Sequence, residues 1–350
     1  MFTSRRSFFQ MAGFLLPLLL FNPLSFFRSL FAPDGELRPL KRPKPNPFLR
    51  EGKTLVGVVR GKEIEKMIRA SLEMIGGIGK LNIKGKRVLV KPNVVSGEPP
   101  PTTTHPDVVG TTVKILYEAG ASKVIVGDMS GLIRRPTRHN LKETGIDRAA
   151  REAGADVIDF DDADWIEVKP PRAQLTRSIH IAKPVYEADL LINLPVLKTH
   201  RRATYSCCLK NLVGVTHPRY RPYRVNPAKW EEVVAELNLA AHPDLNIVDA
   251  TTSMIAGGPR KGTSEETGMI IASGDRIAAD VVGLGLIKSF GKWEGVAKVN
   301  VWDQRQIRHA QALGLGVKEK RSVEVVTKLL EGDEEKFSSL MERIRGFLLT

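Results

Sequence analysis

The chain has 350 residues, 42% of them hydrophobic and 26% charged, with 30 Gly and 22 Pro; this is the make-up of a globular protein and excludes disorder, collagen and a disulfide-stapled miniprotein. The 53 Lys and Arg exceed the 39 Asp and Glu, for a net charge of +14. That excess is spread along the chain and accompanies no helix-turn-helix, zinc-finger or aromatic RNA-binding pattern, so no specific nucleic-acid partner is expected and a small anionic ligand explains the charge at least as well.

Thr3-Ser4-Arg5-Arg6-Ser7-Phe8-Phe9-Gln10 sets an arginine pair before bulky apolar residues and the apolar run 11–27, with no acid before Asp34. This is the pattern of a twin-arginine export signal over residues 1–32, and Pro17, Asn22 and Pro23 make the run a poor spanning helix. Cleavage near Ala32 and retention as an N-terminal membrane anchor both stay open. The export machinery is thus an expected partner, and the expected location is the periplasm or the outward face of a membrane. Residues 33–52, with Pro33, Pro39, Pro43, Pro45 and Pro47 among basic residues, read as an extended linker.

From Thr54 onward, short β-branched runs alternate with amphipathic helices. The pattern predicts an α/β domain over 53–300, built as a mostly parallel sheet with crossover helices, in one body or as two lobes around a cleft. Strands are expected at Leu55–Val59, Arg87–Val90, Lys123–Val126, Asp156–Phe160, Ile166–Lys169, Leu190–Leu194, Asn246–Val248 and Met269–Ala272. Pro92 is expected to end the second of these, having no N–H for a ladder. Helices are expected at Lys62–Met74, from Pro106 onward, at Ser206–Leu212, Lys229–Leu239 and Ile277–Ile287, and through the C-terminal region 301–350.

Ligands of open α/β sheets lie at the carboxyl ends of the strands. The residues there are Lys91 and Asn93, Asp128 and Ser130 in the loop Gly127–Gly131, Lys198 and His200, and Asp249. Lysines and Asn93 suit an anion or cofactor phosphate, while His200 and Asp128 are the candidate proton-transfer groups, with nearby lysines favouring the neutral imidazole. The plain alternatives are solvated lysines and a histidine that caps a helix. His105 precedes the helix-starting Pro106 and reads as structural; with His217 it is also a weak candidate metal ligand beside Asp128, since no i, i+4 spacing supports a site. Cys207 and Cys208, the two cysteines of the chain, are too few for a four-thiolate zinc site or an intrinsic cysteine-ligated iron–sulfur cluster, and read as small buried residues. His217 to Arg224 interleaves Tyr220 and Tyr223 with arginines and suits a lid or a solvated loop.

The segment Asn193-Leu194-Pro195-Val196-Leu197-Lys198-Thr199-His200, then Cys208-Leu209-Lys210-Asn211-Leu212-Val213-Gly214, together with Lys91-Pro92-Asn93, Thr104-His105-Pro106 and Gly127-Asp128-Met129-Ser130-Gly131, resembles in order and spacing the family known as domain of unknown function 362. The resemblance spans roughly Val56 to Gly291. Many members of that family carry an added ferredoxin-like region with cysteine clusters, which this sequence lacks. More distantly, Lys198-x-His200 and a lysine ten residues on, Lys210, are similar to the nickel-pincer-nucleotide lactate racemases. That resemblance implies a proton-transferring histidine at His200 and a cofactor-holding lysine at Lys210. Its second catalytic histidine has no counterpart, because Asp128, Met129 and Ser130 fill that loop, and Cys207 and Cys208 replace its glycine pair; racemisation by two opposed histidines is therefore not expected.

Two classes of function follow. One is an exported enzyme, isomerase-like or redox-linked, acting on a small anionic substrate with an unidentified cofactor. The other is a non-catalytic protein that holds an anionic ligand or serves a redox partner. Replacing Arg5 and Arg6 together by lysine is expected to retain the protein in the cytoplasm, measured by cell fractionation; normal export of the double variant would rule out the twin-arginine assignment.

Overall fold

The computed structural model describes residues 35–221 and 225–350. The expected export signal, and Tyr223 and Arg224 of the expected lid, lie outside the described residues. Strands β1 (Glu36–Leu37), β2 (Leu49–Arg50), β3 (Lys53–Arg60), β4 (Arg87–Pro92), β5 (Lys123–Asp128), β6 (Asp156–Asp159), β7 (Trp165–Val168), β8 (Ile179–Ala182), β9 (Leu190–Leu194), β10 (Val196–His200), β11 (Thr204–Ser206), β12 (Leu245–Gly257), β13 (Gly262–Ser273) and β14 (Val323–Leu329) form an 11-stranded sheet and a 3-stranded one. The main path runs β14-β3-β13-β12-β9-β4-β5-β6. It is one continuous sheet rather than two lobes.

The central strands read as unbroken apolar runs because helices cover both faces. Alternation along each strand divides the side chains between two cores. Val88, Val90, Val124, Val126 and Ile192 pack on one face beneath α1 (Ile64–Met74) and α2 (Pro106–Glu118). Leu89 and Leu191 point to the other face, covered by α8 (Arg276–Phe290). Pairing is parallel from β12 through β9, β4 and β5 to β6, so those strands end on one side of the molecule. At its start, α2 has Pro106 as its first residue and His105 as its cap, with Nδ1 accepting from the Asp107 N–H at 3.2 Å.

Several expectations are corrected. β4 does end at Pro92 as expected, but two residues beyond the Arg87–Val90 expected for it, with Pro92 in register with Leu194; a proline at the last position of a strand leaves its ladder intact. The Ile166 strand leaves the main sheet and pairs with β1 and β8. Asp249 does not end a strand: β12 is 13 residues long and turns through Gly257 and Gly258 into the 12-residue antiparallel β13. Lys198 and His200, expected to follow a strand, are on one, β10. The C-terminal region is not wholly helical, since β14 pairs in parallel with β3. Residues 35–52 are extended but docked: Phe48 is fully buried, β1 and β2 are paired, and the Tyr186 hydroxyl donates to the Pro39 carbonyl at 2.9 Å.

One buried acid stabilises the far side of the fold. Glu236, on α7 (Trp230–Leu237), accepts from the backbone N–H groups of Gln174, Leu175 and Thr176 and from the Thr176 hydroxyl at 2.7 to 2.9 Å. Burial raises its pKa, but donation from His309 and the loop outweighs this and brings the carboxyl down to about 2. A depressed carboxyl contributes stability that is complete above its ordinary value of 4.5 and is lost as pH falls toward about 2. Glu236→Gln is expected to cost about 1–3 kcal/mol at neutral pH and to flatten the acid limb of stability in that window, measured by urea unfolding from pH 7 downward.

Candidate functional site

Because β4 and β5 are parallel neighbours in register at Val90 and Val126, the residues that leave their carboxyl ends meet. Lys91 Nζ lies 2.6 Å from Asp128 Oδ1, with both side chains almost fully buried. Lys91 also donates to the Pro92 carbonyl at 2.6 Å and to Asn211 Oδ1 at 3.2 Å, while Asp128 Oδ2 accepts from the Val94 N–H at 2.6 Å. Burial pushes the Lys91 amine down and the Asp128 charge opposes that shift. Gly214 makes room for the pair. A Cβ there would lie 2.1 Å from Asp128 Oδ1 and 2.7 Å from Lys91 Nζ.

A chain of amides carries the pair across the sheet. Asn211, on the one-turn helix α6 (Cys208–Asn211), accepts from Asn93 Nδ2 at 2.9 Å and donates to Asn193 Oδ1 at 2.8 Å. Asn193 in turn donates to Asn246 Oδ1 at 2.9 Å. Lys198 closes the other end, donating to Asn93 Oδ1 at 3.0 Å and to the Thr102 carbonyl. Burial, reinforced by Lys210, lowers Lys198 to about 7.

Above this floor opens a cavity of about 470 Å³. Its wall contains Lys91, Lys210, Lys261, Arg134, Arg201, Arg202, Arg221 and Arg260 and a single carboxylate, Asp128, with Met129, Val213 and Trp230 as apolar surface. Arg260 is paired with Glu98. It belongs to the turn between β12 and β13, which approaches β10 so closely that a Cβ on Gly258 (φ +78) would lie 2.0 Å from the Thr199 carbonyl oxygen.

Three groups of the wall determine its chemistry. Arg221 is only 7% exposed and donates through Nη1 to the Val213 carbonyl at 2.6 Å, leaving Nε and Nη2 buried without a partner among the described residues. Burial lowers it to about 10, so it stays charged at neutral pH. Lys210 Nζ sits 5.5 Å from the centroid of the Trp230 ring; burial, then Arg221 and Lys91, lowers it to about 7. His200 Nδ1 accepts from the N–H groups of Arg202 and Ala203, each at 3.1 Å. Burial, then Lys210 and Lys198, pushes the imidazole well below its ordinary pKa. With Nδ1 committed as an acceptor, the neutral ring carries its hydrogen on Nε2. In this arrangement His200 presents an Nε2 hydrogen-bond donor.

Other expected residues lie elsewhere. Ser130 is buried under the loop, donating to the Val94 carbonyl at 2.7 Å and accepting from Asn140 at 2.8 Å; it shapes the wall without reaching the cavity. Asp249 accepts from the His105 N–H at 2.7 Å and from Thr251. His217 caps its own turn through Nδ1, packs edge-on against Trp165 at 4.9 Å and is lowered to about 3, chiefly by burial. His105 and His217 therefore do not join Asp128 in a metal site. Among the described residues, the His, Cys, Asp or Glu ligand atoms that do converge are those of Cys207, Cys208 and Asp280. The Asp280 carboxylate already accepts from the Cys208 and Leu209 N–H groups and the Tyr205 hydroxyl, and burial raises both thiols. That cluster is packing, consistent with the buried role expected of the cysteines. Arg221, Asn211, Gly214 and Trp230 were not singled out as site residues: nothing local distinguishes a buried arginine or asparagine from a solvated one.

The sequence matches the model of a family described as a domain of unknown function, DUF362, over residues 88–285. A thylakoid-associated protein of a Synechocystis species is 30% identical over 222 residues, covering 61% of this chain and 67% of that protein. Among solved structures, the lactate racemase apoprotein from Thermoanaerobacterium thermosaccharolyticum aligns with a TM-score of 0.40 at 12% identity, covering 87% of this chain and 88% of that one. A protein from Thermotoga maritima aligns with a TM-score of 0.35 at 14% identity, over 56% and 52% of the two chains.

Gly214→Ala is expected to force the Lys91–Asp128 pair apart and to cost about 1–3 kcal/mol, as overpacking of a filled interior does. Equilibrium unfolding in urea should show a lower midpoint with an unchanged slope, and a midpoint equal to that of the wild type would mean that the pair does not require this glycine.

Proposed function

The chain belongs to the DUF362 family, and from that premise we propose that it binds a small anionic metabolite in the cavity at the carboxyl ends of β4, β5 and β10. The carrying observation is the charge imbalance of the wall: eight lysines and arginines stand around about 470 Å³ with one carboxylate among them, and that carboxylate is already paired with Lys91. Arg134, Arg201, Arg202 and Lys261 are exposed at the rim and draw anions inward, while the buried Lys91 and Arg221 repel at low dielectric, a cost that an anion relieves while gaining charge-assisted hydrogen bonds. Arg221 offers it two unpartnered nitrogens, and the neutral His200 adds a donor. In this reading His200 orients the ligand through a hydrogen bond from Nε2.

The protein is exported by the twin-arginine route in this proposal, on the strength of Arg5 and Arg6 and the apolar run behind them. A relative that is named as thylakoid-associated favours a variant of it in which the N-terminal segment holds the protein at a membrane.

Titration calorimetry against phosphorylated and carboxylated metabolites is expected to find a ligand, with affinity falling about 10- to 100-fold in Arg221→Ala, the worth of a hydrogen bond to a charged group. An anion raises the pKa of Lys210 from about 7, so binding takes up protons and weakens as pH rises above that value. Equal affinity in wild type and Arg221→Ala would remove the guanidinium from the site.

A further inference from the structure

Three of the site's four lysines, Lys91, Lys198 and Lys210, differ in what they touch. Lys91 is paired with Asp128, and Lys198 donates to Asn93 and Thr102. Among the described residues Lys210 has no hydrogen-bond acceptor and no ion pair: its amine faces the Trp230 ring, and it lines the cavity with Arg221. Burial and the cations Arg221 and Lys91 disfavour the ammonium more than the Asp128 charge and the Trp230 face favour it, and a desolvated lysine beside other cations is the environment that makes an amine nucleophilic. Arg221 supplies the complementary feature, a desolvated guanidinium whose Nε and Nη2 are buried without a partner among the described residues; turned toward the cavity, they form the fork that receives a carboxylate through two parallel hydrogen bonds.

Resting on the anion-site reading above, we propose that Lys210 is an amine nucleophile that forms an imine with the carbonyl carbon of an oxo acid whose carboxylate is held by Arg221. The Nζ lone pair attacks the carbonyl carbon, the C–N bond forms, and the carbonyl oxygen takes up a proton to give a carbinolamine. That hydroxyl then leaves as water, the remaining amine proton is released, and the C=N bond closes. The net change is amine plus carbonyl to imine plus water, with no oxidant or reductant. His200 lines the same cavity and hydrogen-bonds the oxygen from Nε2, while the protons that the oxygen takes up come from the attacking amine and from solvent. Lys210 near 7 leaves a large fraction of free amine at neutral pH, whereas Arg221 keeps its charge.

The test is reductive trapping. The full chain is incubated with pyruvate, 2-oxoglutarate or acetoacetate and sodium cyanoborohydride, and the adduct is located by intact-mass measurement and peptide mapping. One adduct per chain is expected, on Lys210, with a labelling rate that rises with pH about a midpoint near 7. It should be absent in Lys210→Arg, and reduced about tenfold or more in Arg221→Ala and with acetone, which lacks the carboxylate. The 2-oxo and 3-oxo acids tell which spacing of carbonyl and carboxylate the site takes. Mapping of the wild type needs no variant to fold. No adduct on Lys210, labelling spread equally over surface lysines, or a midpoint near 10.5 would overturn the proposal. If calorimetry finds the same acids bound without an adduct, the imine fails and the anion site stands; if they neither bind nor label, both fail.

Discussion

The buried Lys91–Asp128 pair is the constraint from which the site is built. Two charges removed from water cost several kcal/mol each unless their geometry and remaining hydrogen bonds are nearly complete. Here parallel pairing of β4 and β5 sets the two residues side by side, Val94 and Asn211 take up further hydrogen-bonding capacity, and Gly214 leaves the volume they need. The pair therefore ties the ends of two strands to the turn after α6. Moving any of these elements would leave an uncompensated charge at low dielectric.

With its carboxylate spent on Lys91, Asp128 cannot neutralise the rest of the wall. The remaining cations respond in ways set by their chemistry. Lysines yield protons: Lys198 and Lys210 are both drawn to about 7. A guanidinium does not, so Arg221 retains its charge and its two unpartnered nitrogens. His200 stays neutral, with Nδ1 held by two backbone N–H groups. One cavity thus combines a permanent cation, an amine near its midpoint and a neutral donor, and their separate environments assign the roles.

The legible parts of the sequence are those where local pattern and tertiary demand agree. Val88 to Val90 and Leu190 to Ile192 are apolar without alternation because both faces of the sheet are covered, and Pro106 after His105 starts a helix because a first turn needs no N–H there. Strand ends could thus be located, and with them Lys91, Asn93, Asp128 and Lys198. The long hairpin was less legible: Thr251, Thr252 and Ser253 interrupt its apolar pattern, while their backbone continues in β12. β14 carries its apolar residues in a short half-buried run at the sheet edge, where β3 rather than local propensity makes it a strand.

By itself the sequence determined the α/β class, the family motifs, the excess of positive charge and the residues delivered to the strand ends, since each depends on residue type and spacing along the chain. Only the tertiary structure decided which of those residues act together. Whether a lysine is paired, as Lys91 is, or left beside an aromatic ring, as Lys210 is, depends on what the other strands and turns place within a few ångströms. The same holds for His200, where the donors of Arg202 and Ala203 select the tautomer, and for Arg221, which the fold buries with two of its nitrogens unpartnered. Charge and hydrogen-bonding capacity are properties of a residue; protonation state and role are properties of its surroundings, and those are assembled by contacts between residues distant in sequence.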